Sequence, residues 1–86
     1  MPNRVTVTLH GDLVDFLPAP WRSSSPGSLE RAFDGHPSVK DALEALGVPH
    51  PEIAALTVNG TPAGFGQRLN DGDRVEAWPA AEAAAR

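Results

Sequence analysis

The stretch SVKDALEALGVP, residues 38–49, decides how the rest of the chain is read. Ser38 is a strong helix N-cap, because its hydroxyl can accept a bond from a backbone N–H that the first helical turn leaves open. Asp41 stands three residues on, at the acidic position of a capping box and near the positive end of the helix dipole. Val39, Ala42, Leu43 and Leu46 recur at i, i+3, i+4 and i+7, so the helix has one apolar face. Gly47 supplies a left-handed C-terminal residue, Val48 can fold back on the last turn, and Pro49 forbids continuation. The spacing predicts a helix over about residues 38–47. A single helix with a single buried face needs a sheet to lie on.

Both flanks supply that sheet. Val5, Val7 and Leu9 alternate with Thr6, Thr8 and His10, a half-buried strand rich in β-branched residues. GDLVDFL, residues 11–17, reads as one short helical turn that packs Leu13, Val14, Phe16 and Leu17 onto the core and is ended by Pro18 and Pro20. APWRSSSPGS is a loop by composition. A second strand follows over roughly residues 29–33, and DGHP turns the chain toward the helix. Beyond the helix, PHPE reads as a loop and residues 53–58 as a third strand. Asn59-Gly60 is a tight-turn signal, since both residues accept positive φ. A short return segment, TPA, and a flexible GFGQ lead to Leu69 and the turn NDGD. Residues 74–78 form the last strand, with Val75 and Ala77 toward the core and Trp78 on the opposite face or at the strand end. The remaining AAEAAAR has helical propensity but is too short to be a stable helix alone.

Two hairpins thus flank one helix, and the first and last strands, with the cleanest alternation, belong in the centre. The order predicts an α+β, β-grasp fold: a mixed sheet of four to five strands with the helix packed across it. Residues 1–79 are expected to form the domain and residues 80–86 a short Ala-rich tail.

Composition narrows the function. The 86 residues are 41% hydrophobic, enough for one thin core. The absence of cysteine excludes disulfides, thiolate metal sites and a cysteine nucleophile. Eleven acidic against seven basic residues give a net charge of −4, and the basic residues are scattered. Binding to nucleic acid draws most of its affinity from phosphate neutralisation, so direct RNA or DNA binding is disfavoured. No apolar run approaches a membrane span and the N-terminus lacks the apolar core of a signal peptide. The expectation is a soluble, cytoplasmic protein.

SVKDALEALGVP followed by LTVNG and RLNDGDRVEAWP resembles the MoaD/ThiS group of ubiquitin-like proteins. The hydrophobic-Asn-Gly turn and the Leu-x-Asp-Gly-Asp-x-Val turn are the marks of that group. More narrowly, DFLP, FDGHPSVKDALEALGVPHPEI and a last strand ending in Trp-Pro resemble the ubiquitin-like domain found ahead of the Mut-seven C-terminal RNase domain, a PIN-like nuclease with a zinc ribbon. The resemblance runs from about Val5 to Pro79. It implies a β-grasp fold and two alternative roles. A MoaD- or ThiS-type sulfur carrier, serving molybdopterin or thiamine synthesis, needs a flexible Gly-Gly end that threads an activating enzyme's channel, where a Cβ would clash. Here no glycine follows Gly72, so that role is disfavoured. The nuclease-linked branch implies instead a non-catalytic interaction module for a PIN-like RNase, in the same parent chain or as a separate partner. A third reading is an RNA-binding β-grasp domain.

Candidate sites are few. His10, His36 and His50 would have to converge to hold zinc, but their spacings are long and His36 and His50 sit in proline-flanked loops, which points to surface or loop histidines. Asp71 and Asp73 read as turn chemistry rather than metal ligands. Ser23, Ser24 and Ser25 lack a nucleophile elbow, and Gly64-Phe65-Gly66 lacks the Lys-Ser/Thr of a phosphate loop. The sequence therefore predicts no catalytic residue, no metal site, no cofactor and no enzyme activity. Trp21 and Trp78 are the candidate anchors, since tryptophan is enriched at binding hot spots; the competing reading has both covering core edges. A protein-binding surface is expected at Trp78, Arg74, Glu76 and Arg68, with Trp21 beside it.

Overall fold

The structure, a computed structural model, describes residues 2–16 and 27–80. The sequence readings for Leu17, Trp21, the serines at 23–25 and residues 81–86 lie outside the described residues, as does the side chain of His50.

The helix, α1, is Val39–Ala45. Its capping box forms: the Ser38 hydroxyl accepts from the Asp41 N–H at 3.1 Å, and the Ser38 N–H donates to Asp41 Oδ2 at 3.4 Å. At the other end Gly47, at φ +85°, reverses the chain. The Gly47 N–H then reaches Glu44 O and the Val48 N–H reaches Leu43 O, which closes the last carbonyls. Val39, Ala42, Leu43 and Leu46 are all buried, as their spacing predicts.

The sheet has five strands: β1 (Asn3–Leu9), β2 (Gly27–Phe33), β3 (Ala55–Val58), β4 (Thr61–Pro62) and β5 (Arg74–Trp78). Their spatial order is β2-β1-β5-β3-β4. β1 and β5 lie in the centre as expected and run parallel, with Val7 opposite Val75; the other pairs are antiparallel. Val5, Val7, Leu9, Leu56, Val58, Val75 and Ala77 point to one face and meet the apolar side of α1 in a continuous core. Burying such branched side chains stabilises by roughly 1.5–3 kcal/mol each.

Four local readings change. The second strand begins at Gly27 rather than near residue 29, because its pairing with β1 runs on to Leu9. The third strand starts at Ala55, because His50–Glu52 forms a single 3-10 turn and Ile53 tucks into the core before the strand begins. The turn Gly11–Phe16 buries Leu13 and Val14 but leaves Phe16 exposed. GFGQ is tied down rather than flexible: Phe65 O accepts from the Lys40 N–H at 3.0 Å and Gln67 O from the Val39 N–H at 2.9 Å. These carbonyls satisfy the opening amides of α1.

Candidate protein interface

β5 carries the chemistry of the uncovered sheet face. Val75 and Ala77 are sealed in the core, so Arg74, Glu76 and Trp78 fall on the other side. The register sets Thr6 and Thr8 of β1 beside Arg74 and Glu76. On the other flank it sets Thr57 and Ala55 of β3 beside Glu76 and Trp78. No helix among the described residues covers this face.

Most polar groups on the face are matched. Arg4 Nη1 lies 3.0 Å from Glu30 Oε1, Thr8 Oγ1 lies 3.0 Å from Ser28 Oγ, and His10 Nε2 lies 2.8 Å from Glu76 Oε2. The His10 ring also stacks on Trp78, with centroids 4.6 Å apart and planes 8° from parallel. Backbone bonds fix the same spot, from the His10 N–H to Ala77 O and from the Ala54 N–H to Trp78 O. Toward the other end of β5, Thr8, Asn59, Gly60, Arg74 and Glu76 line a shallow cleft of about 290 Å³.

That other end is held by short polar side chains. Asp71 Oδ1 accepts from the Arg4 N–H at 2.7 Å, and Asp73 Oδ2 from the Asn70 N–H at 2.8 Å. Asp73 Oδ1 accepts from Asn59 Nδ2 at 2.9 Å, while Asn59 Oδ1 accepts from the Arg74 N–H at 2.9 Å. The Asn-Gly turn and the Asp-Gly-Asp turn are therefore bonded to each other and to β1. Both aspartates work as turn acceptors. Among the described residues no group of three His, Asp or Glu side chains is placed to hold a metal ion.

The Mut7-C ubiquitin family matches the chain over residues 2–85, both of these turns included. The chain belongs to this family. Two crystal structures of the small archaeal modifier protein 1 of Haloferax volcanii are similar to it in fold. They are 24% and 23% identical, each covers 90% of this chain, and the match takes in 97% and 94% of their own, both with a TM-score of 0.66. At that identity the likeness is one of fold, and it agrees with the ubiquitin-like β-grasp read from the sequence. No curated protein matches the chain.

On this Mut7-C ubiquitin scaffold the sequence-predicted interface residues separate. Arg74, Glu76 and Trp78 share one face of β5, with Trp78 buried beneath the His10 stack. Arg68 does not join them: it bridges to Ser38, and its Nη1 donates to His36 O at 3.2 Å, beside the start of α1. Trp21 lies outside the described residues. The residue missed is His10, read as a surface histidine. Its side chain is only 19% exposed and is engaged by both Glu76 and Trp78. The alternation of β1 puts it on the polar face, but only the pairing of first with last strand puts it beside Trp78. An apolar hollow of about 290 Å³, lined mainly by Ile53, Leu56, Pro62, Ala63 and Phe65, flanks β3 on the α1 side. No helix among the described residues is long and apolar enough to cross a membrane.

Proposed function

We propose that this chain is a non-catalytic, ubiquitin-like interaction module that docks on a PIN-like RNase domain, within the same parent chain or as a separate partner. Membership of the Mut7-C ubiquitin family over residues 2–85 carries the reading. The geometry supports it. The face that carries Arg74 and Glu76 is built on the two central strands and is held at both ends, so a partner meets a preorganised surface. On it Glu76 is hydrogen-bonded to His10 and Thr8 to Ser28, while among the described residues nothing engages the Arg74 guanidinium, whose donors are left for a partner.

A second reading, a carrier or modifier activated at a terminal carboxylate, draws on the likeness in fold to the small archaeal modifier protein 1.

Calorimetric titration of the chain into a purified Mut7-C RNase domain tests the proposal. Saturable binding is expected, weakened at least about tenfold by Arg74→Glu. Absence of binding, or binding indifferent to both Arg74→Glu and Glu76→Lys, would sink it. Formation of an acyl-adenylate with an activating enzyme and ATP would favour the second reading.

A further inference from the structure

The two outer edges of the sheet are built differently. β4 is two residues long and ends in Pro62, which has no N–H to offer. β2 runs for seven residues without a proline. The direction of its backbone groups follows from β1. There the Thr6 N–H bonds to Asp73 O at 3.1 Å and the His10 N–H to Ala77 O at 3.0 Å, both toward β5. Successive residues of a strand point their N–H and C=O to opposite sides, so Val5, Val7 and Leu9 direct theirs to β2. Their register partners are Arg31, Leu29 and Gly27. The peptide groups of Ser28, Glu30 and Ala32 therefore point outward, and among the described residues no group bonds them. Natural sheets usually guard a long edge with proline, a bulge, a cover or a charge turned toward the core side; β4 has its proline, whereas among the described residues β2 has only the charge of Arg31.

We infer that the outer edge of β2 is a docking site for an extended segment of a partner protein, which adds to the sheet with an acidic side chain facing Arg31 and an apolar one on either side. Strand addition draws affinity from main-chain bonds and specificity from alternate side chains. On the α1 side of β2 the row is Leu29, Arg31, Phe33. Leu29 and Phe33 are half-buried against the core margin, ready to be covered. Arg31 is exposed between them. Its Nη1 donates to Ala45 O at 2.9 Å, and its Cζ lies 6.0 Å from the Phe33 ring centroid. These contacts fix the guanidinium and leave further donors for a carboxylate. The opposite row, Ser28, Glu30 and Ala32, has its one charge engaged by Arg4, so small polar side chains suit that side of the incoming strand. This site is separate from the face proposed for the RNase and stands without it.

Nuclear magnetic resonance on the intact ¹⁵N-labelled chain tests it with two blocked synthetic peptides, TVTETVT and TVTKTVT. The glutamate peptide is expected to shift and protect the amides of Ser28, Glu30 and Ala32 and to bind about tenfold tighter than the lysine peptide. The Arg31→Glu variant should reverse that order. Ala32→Pro, which removes one outward N–H and leaves the bonds to β1 intact, should abolish binding of both while Arg31 stays in place. Equal affinity for the two peptides, shifts confined to residues outside β2, or no shift at millimolar peptide would each overturn the inference. So would protection of the β2 amides by self-association without peptide, which would assign the edge to a second copy of the chain.

Discussion

The two ends of β5 are fastened by opposite means. At the entry, Asn59, Asp71 and Asp73 hold the chain with short side chains that bond backbone amides and one another. At the exit, two flat rings and a carboxylate do the holding: His10 stacked on Trp78 and paired with Glu76. The first device is hydrogen bonding on exposed turns, where Asp71 and Asp73 meet backbone amides needing an acceptor. The second is a ring stack with one hydrogen-bonded pair, and both join the first strand to the last. An end fastened by hydrogen bonds depends on geometry, and an end fastened by rings depends on buried area. The two should fail differently.

The largest effect is expected at the exit. Trp78→Ala removes a buried indole from the strand end and should cost about 3–4 kcal/mol in urea unfolding. A loss below about 1 kcal/mol would mean that the stack does not hold that end. At the entry, Asp73→Ala removes the acceptor for both the Asn70 amide and the Asn59 side chain and should cost about 2 kcal/mol. A double-mutant cycle with Asn59→Ala should return a coupling of about 1 kcal/mol; additive losses would show the two turns to be independent. Gly60→Ala should cost about 1 kcal/mol through its φ of +83° alone, since a Cβ there meets nothing within 4 Å. Thermal melts would register it as a fall of a few degrees. The smallest effect is expected for Glu76→Gln, about 0.5 kcal/mol or less, because the Glu76 side chain is 39% exposed and water screens its pair with His10. A larger loss would make the pair, rather than the stacked rings, the fastening of the exit.

Legibility in the sequence follows the same division. The helix, its capping box and its glycine stop were readable because each rests on neighbours within four residues. So were the Asn-Gly and Asp-Gly-Asp turns, and with them the family resemblance. The central placing of β1 and β5 was also legible, from alternation alone. The bond network joining the two turns was not, because no rule of spacing pairs Asn59 with Asp73. Nor was the position of Arg68. Its neighbour Leu69 is drawn wholly into the core, and that carries Arg68 to the helix start and away from β5. His10 was legible in its face but not in its company, since a lone histidine at a strand end says nothing about which strand lies beside it.

The parallel pairing of β1 with β5 has a consequence for how the chain is made. Arg4 and Asp71, which bond at the start of that pair, stand 67 positions apart. Contacts of such separation are slow to form, because the intervening chain must give up its freedom before they reward it. During synthesis β1 leaves the ribosome first and receives its central neighbour last. Until residues 74–78 emerge, the row Val5, Val7, Leu9 has β2 beside it at best and no floor of β5 to complete the core. For that interval the nascent chain presents a β-branched apolar strand to its surroundings, the kind of segment that chaperones and aggregation compete for.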